Sequence, residues 1–132
     1  MFFVVNFSMN KLEHIGIAVA NLEASEALFT SLLGVSPYKR EVVESEHVIT
    51  SFFQVGEVKI ELLAASNDQS TIAKFIEKKG EGLHHLAFEV DDIAQALIEK
   101  SNSGFELIHT QPKPGADGKM IAFLHPKQPI PC

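Results

Sequence analysis

Gly82-Leu83-His84-His85-Leu86-Ala87-Phe88-Glu89-Val90-Asp91-Asp92-Ile93 reads as a strand that runs into a capped helix. Side chains alternate across a strand, so Leu86, Phe88 and Val90 share a bulky face, and His85, Ala87 and Glu89 share the other. Asp92 with Gln95 has the spacing of a capping box, which starts a helix through Ile93, Ala96, Leu97 and Ile98. An earlier stretch has the same plan. Leu12-Glu13-His14-Ile15-Gly16-Ile17-Ala18-Val19-Ala20-Asn21-Leu22 also places a histidine two residues after a leucine, then an alternating run, then a cap at Asn21. Ile15, Ile17 and Val19 form its bulky face; His14, Gly16 and Ala18 form a small one. The chain therefore reads as two copies of one module that hold His14 and His85 in a common pocket.

Working outward, each copy continues in the same order. In the first, Leu22, Leu28, Phe29, Leu32 and Leu33 make the apolar stripe of a helix that Gly34 stops. Tyr38 to Glu46 reads as a strand or a loop over the site. Val48 to Val55 and Val58 to Leu63 are strands around a Gly56-Glu57 turn, and Glu61 lies on the face opposite Val58, Ile60 and Leu62. Thr71 to Lys79 is a linking helix that buries Ile72, Phe75 and Ile76. In the second copy, Phe105 to Thr110 reads as a strand, Gln111 to Lys119 as a loop, and Met120 to Leu124 as a strand ended by His125-Pro126.

There the repeat breaks. Lys127 to Cys132 carries Pro129 and Pro131, and proline cannot donate to a sheet ladder. The last strand of the second module is expected to be missing, through truncation or a frameshift. Its absence would leave a sheet edge unpaired. Phe2 to Phe7, which is strand-like, or a partner chain is expected to fill the gap. Met9 is a second possible start, at which a shorter chain would lack residues 1–8.

His14, Glu61 and His85 all fall on small-residue strand faces. Two imidazoles and a carboxylate suit a divalent metal, and the donor types do not choose among zinc, cobalt, nickel and manganese. Either histidine alone reads as an ordinary strand histidine. The pair at matched repeat positions, with Glu61 on the same kind of face, reads as a ligand set. His84 faces the other way and reads as a polar residue at a strand start. His47 and His109 read as exposed, and His125 as structural. The Pro112–Gly118 loop is a weak phosphate-contact signal, because no helix N-terminus follows it.

Totals narrow the class. The chain has 132 residues, with 11 Lys and Arg against 17 Asp and Glu, a formal net charge of −6. That argues against a nucleic-acid binder, which shows a basic patch. Cys132 is the single cysteine, so no internal disulfide forms and a reducing, cytoplasmic setting is expected. Met1 to Phe7 lacks the basic start and cleavage site of a signal peptide. No apolar run reaches membrane-spanning length.

Leu12–Leu22, Val55–Leu63, Ser70–Ile93 and Pro112–Lys127 together resemble the vicinal oxygen chelate (glyoxalase I-like) superfamily. Within it they are most similar to the methylmalonyl-CoA epimerase family. GLHHLAFEVDDI and GKMIAFLHPK are the more specific runs; HIGIAV alone marks the superfamily. The resemblance implies an α+β fold of two tandem βαβββ modules, module one at 11–66 and module two at 82–132, joined by the helix at 71–79 in one domain, 1–132. It implies metal ligands at His14, Glu61 and His85. A fourth ligand, a glutamate on the last strand, has no counterpart, and a further family glutamate falls at Thr50. The implied reaction is epimerisation of methylmalonyl-CoA by removal and return of the α-proton through a metal-stabilised enolate. No cofactor beyond the metal is implied. No catalytic base is assigned; Glu61 could serve only if the metal does not fully engage it. A small-molecule acyl-CoA substrate and a homodimer follow, with no nucleic-acid or membrane partner. The alternatives are a glyoxalase I-type lactoylglutathione lyase acting on a thiohemiacetal and a non-catalytic binding member of the superfamily.

Overall fold

The computed structural model describes residues 2–6, by backbone, and residues 11–126 with their side chains. The elements are β1 (Phe2–Asn6), β2 (Lys11–Ala18), α1 (Leu22–Leu33), β3 (Lys39–Val43), β4 (Val48–Val55), β5 (Val58–Ala65), α2 (Thr71–Lys79), β6 (Gly82–Glu89), α3 (Ile93–Asn102), β7 (Lys113–Pro114) and β8 (Met120–Leu124). It is a mixed α+β fold, as expected from the paired modules. The chain forms two compact units. The first is His14–His84; the second joins the described residues of 1–13 to those from His85 onward. The helix α2 belongs with the first.

In the first unit the sheet order is β3-β4-β5-β2. β5 runs parallel to β2 and antiparallel to β4. Its bulky face packs on α1: Val19, Leu22, Phe53, Leu62 and Ala64 are buried there, with Ile17, Phe29 and Leu33 against them. Asn21 caps α1 by accepting the Ala24 N–H at 3.0 Å, and Gly34 ends it at φ 74°, a left-handed geometry that favours glycine. Two residues of the expected stripe lie outside the core. Leu28 is 64% exposed and Leu32 71%, so the buried stripe is narrower and runs through Leu22, Phe29 and Leu33. The other face carries Ala18, Val48 and Leu63, covered by Ile72, Phe75 and Ile76 of α2. Each large aliphatic or aromatic side chain buried this way contributes roughly 1.5–3 kcal/mol.

A polar clamp ties α1 to β3 and β4. Arg40 Nε donates to Glu26 Oε2 at 2.9 Å, the Arg40 Nη2–Glu26 Oε1 pair adds a second contact, and Ser51 Oγ donates to the same carboxylate at 2.5 Å. The Arg40 guanidinium holds the Glu26 carboxyl below its usual range.

In the second unit the order is β6-β1-β8-β7. β1 lies parallel to β6 and antiparallel to β8. The expected strand-like N-terminal segment therefore pairs on both sides; its last expected residue, Phe7, lies outside the described residues. Val90, Ala96, Leu97, Ala122 and Leu124 form the core under α3, with Ile93 and Leu107 packed against them. Asp92 accepts the Gln95 N–H at 3.1 Å, which supplies the cap. Phe105 to Thr110 is not a strand. It is held by a bridge between Leu107 and Leu124 and by Ile108 N–H to Phe123 O at 2.9 Å. The expected loop Gln111–Lys119 contains β7, paired with β8 through Lys113–Ile121 and Pro114–Met120. Residues 127–132, where the missing last strand is expected, lie outside the described residues. Among the described residues, no helix is long and apolar enough to cross a membrane.

Candidate metal centre

His14 and Glu61 come from neighbouring strands of the first unit. In the β2–β5 register, His14 lies opposite Lys59 and Gly16 opposite Glu61. The side chains of Glu61 and His14 thus rise on one face, two residues apart along the strands. Gly16 puts no side chain between them. His14 Nδ1 stands 3.2 Å from Glu61 Oε2, and both residues are buried. On its other side Glu61 is opposite Phe52, which is fully buried. A carboxylate this deeply buried has little bulk water to solvate it, so a bound cation would lower the cost of burying it.

His85 belongs to the second unit and is also buried. It lies opposite Phe2 in the β6–β1 register, and its ring meets Phe123 of β8 edge-on, with centroids 5.6 Å apart. Phe123 makes a second edge contact with His109 at 5.6 Å, and its N–H donates to His109 Nδ1 at 3.0 Å. Thus His109 is half-buried and bonded, and the expectation that it is exposed is wrong: the segment before β7 folds over Phe123 instead of ending at an edge. His47 is likewise half-buried, with Nδ1 3.0 Å from Asn67 Nδ2. His125 is half-buried, and its backbone N–H donates to Glu106 O at 2.8 Å.

His84, read from the sequence as a polar residue at a strand start, is buried there edge-on to Phe75 of α2, with centroids 4.7 Å apart. Burial pushes its imidazole down to about 4, because the charged form loses its hydration there. Each of His14, Glu61 and His85 offers a ligand atom from a buried side chain. The chemistry of the set, two imidazole nitrogens and one carboxylate, fits a divalent ion.

Sequence reasoning missed the Glu26–Arg40–Ser51 clamp and a second carboxylate on the Glu61 face. Directly opposed residues of an antiparallel pair share a face. Glu41 lies opposite Thr50, and Thr50 opposite Leu63. Leu63 is two residues from Glu61 and so shares its face. Glu41 Oε1 is 3.4 Å from Lys39 Nζ, and Thr50 is fully buried beside it in the ladder. The strand alternation carries this signal, but only once the β3–β4 register is known.

The chain belongs to the glyoxalase/bleomycin resistance protein/dioxygenase superfamily, whose pattern matches residues 13–123. It is 40% identical over 120 residues to the uncharacterised protein YqjC of Bacillus subtilis strain 168, covering 91% of this chain and 86% of that one. It is 36% identical over 121 residues to the ethylmalonyl-CoA/methylmalonyl-CoA epimerase of Cereibacter sphaeroides, covering 90% of each. Its fold matches the crystal structure of methylmalonyl-CoA epimerase from Mycobacterium tuberculosis, with TM-score 0.83, 28% identity, and coverage of 91% of this chain and 81% of that one.

Proposed function

We propose that this protein is a metal-dependent epimerase of methylmalonyl-CoA, and that His14, Glu61 and His85 hold the ion. The observation that carries the reading is the buried His14–Glu61 pair, an imidazole nitrogen and a carboxylate oxygen 3.2 Å apart. His85 joins it as the buried histidine at the matched position of the other unit. Relatives named as methylmalonyl-CoA epimerases, aligned over most of both chains, support the substrate class. Three protein ligands leave positions for substrate oxygens, the pattern of a catalytic site and not of a closed structural one. A divalent ion bound there would supply Lewis-acid stabilisation to negative charge on the thioester oxygen.

The chain's own residues do the rest. His14 and Glu61 hold each other in place across β2 and β5. Burial keeps water from Glu61 and so strengthens the charge interactions it makes. The α-proton must leave one face of the substrate carbon and return to the other, which requires a base and its conjugate acid. Glu61 is engaged in the ligand set. Glu41, on the same sheet face and with no ligand role, is the candidate for one proton transfer, with Lys39 as its ion-pair partner. The lyase alternative shares the metal set, and no observation favours it over the acyl-CoA reading. Exposed Leu28 and Leu32 on α1 support a homodimer that would cover them, which sedimentation tests; the reading keeps the cytoplasmic location.

Metal analysis of purified protein tests the ligand set. The unchanged chain is expected to retain close to one divalent ion per chain. His14→Ala, Glu61→Ala and His85→Ala are each expected to lose most of it. Equal metal content in the His85→Ala variant would overturn the assignment.

A further inference from the structure

In the first unit the imidazole of His14 stands against a carboxylate, with Glu61 Oε2 at 3.2 Å. In the second unit the ring of His85 stands edge-on to Phe123 of β8, with centroids 5.6 Å apart. What fixes Phe123 therefore bears on how His85 presents its nitrogens. A residue in an antiparallel strand turns its N–H and C=O to the same side. Both groups of Phe123 turn toward the segment before β7. Its C=O accepts the N–H of Ile108 at 2.9 Å and that of His109 at 3.2 Å. That segment is not a regular strand there. From the Leu107–Leu124 bridge to the Lys113–Ile121 pair it advances six residues while β8 advances three, so three residues bulge out of the ladder. At the bulge the N–H of Phe123 goes to a side chain, donating to His109 Nδ1 at 3.0 Å. The rings of His109 and Phe123 also meet edge-on, with centroids 5.6 Å apart. His109 thus holds Phe123 by its N–H, its carbonyl and its ring.

We infer that His109 is a positioning residue for the second unit's ligand: through Phe123 it fixes the rotation in which His85 meets the ion. The inference rests on the metal reading above. A ligating imidazole must aim one nitrogen at the metal, and neighbours that set its orientation govern affinity although they touch no metal. A backbone N–H can only donate, so the imidazole that makes this bond has no proton on Nδ1 and carries it on Nε2. Removing the acceptor strands the Phe123 N–H and frees its ring to turn, and the His85 ring with it. Asparagine at position 109 can place Oδ1 where Nδ1 stands, and so restores the acceptor without the ring. Leucine at position 123 keeps the backbone bonds to His109 and removes the ring that lies against His85.

The test is cobalt(II) titration of the full-length chain and of His109→Ala, His109→Asn and Phe123→Leu, read by calorimetry and visible absorption. His109→Ala and Phe123→Leu are each expected to bind cobalt about tenfold more weakly, with an altered cobalt spectrum, as when an outer-shell partner is lost. His109→Asn is expected to recover most of the affinity and the spectrum of the unchanged chain. Unaltered binding in His109→Ala, or His109→Asn no better than His109→Ala, would overturn the inference; unaltered binding in Phe123→Leu would break the route through the ring. NMR of the unchanged, metal-free chain checks the geometry without any variant. Nδ1 of His109 is expected to show the nitrogen shift of an unprotonated acceptor, and the Phe123 ring to show contacts with both His85 and His109. A proton on Nδ1, or a Phe123 ring that contacts only one of the two histidines, would contradict the placement. Failure of the unchanged chain to take up cobalt would instead sink the metal reading. The His85 ring resonances of the metal-free variants then decide the positioning claim: they are expected to move in His109→Ala and to stay in His109→Asn, and resonances unmoved in both would overturn it.

Discussion

The two units solve one architectural problem with different means. In the first, β2, α1, β3, β4 and β5 follow one another without interruption, and the parallel β2–β5 pair closes the sheet. In the second, β6, α3, β7 and β8 are contiguous, but the parallel partner of β6 is β1, the first strand of the chain. A ladder needs only backbone donors and acceptors in register, so a strand of any origin can complete it. Ligand chemistry is stricter, because it depends on one side chain at one register position. Glu61 occupies such a position in the first unit.

The largest effect should come from removing the borrowed strand. A chain started at Met9 is expected to lose tertiary order in the second unit while the first keeps its slow-exchanging amides around Phe53 and Leu62. Residue-resolved hydrogen exchange measures this, and equal protection in both forms would break the comparison. Core truncations come next. Leu62→Ala and Leu124→Ala each remove a buried leucine and should cost about 2–5 kcal/mol in denaturant unfolding. Leu124 lies opposite Phe3 in the β1–β8 ladder, so only its truncation should also speed exchange in β1.

A smaller effect appears in acid. His84 is neutral when folded, with its imidazole pushed down to about 4 from an ordinary 6.5. The unfolded chain takes up that proton at higher pH than the folded chain does. This contribution to stability is therefore complete above pH 6.5 and is lost as pH falls toward 4, by about 3 kcal/mol at the limit. His84→Leu should flatten that part of the unfolding-versus-pH curve; an unchanged slope would contradict the buried, neutral assignment. Smallest is the clamp in the first unit. Glu26→Gln removes one of the two carboxylates that pair with Arg40 and is expected to lower the denaturation midpoint only slightly, an effect with no equivalent expected in the second unit.

Much of this is legible in the chain itself, for physical reasons. Strand alternation places His14, Glu61 and His85 on small-residue faces, and cap chemistry locates α1 at Asn21 and Gly34. The α+β class follows from the repeat. Long-range facts are less accessible. Alternation says which face a residue takes but not which strand lies beside it, so the Glu41 row needs the observed registers. Helical periodicity overstates the buried stripe of α1, because Leu28 and Leu32 face away from the sheet. Phe105–Thr110 has strand-like composition, yet it bridges to β8 at Leu107 and then wraps over Phe123. His109 is misread with it, since a histidine's exposure depends on what folds across it.

The role proposed for the buried His14–Glu61 pair and His85 is in proton exchange at the carbon beside a thioester. It is tested most directly by incubating metal-loaded protein with methylmalonyl-CoA in deuterated water and following loss of the α-proton by NMR. Metal-dependent exchange is expected, falling by at least about a hundredfold in His85→Ala and substantially in Glu41→Gln. Exchange at the uncatalysed rate with metal bound, or exchange unaffected by His85→Ala, would contradict it.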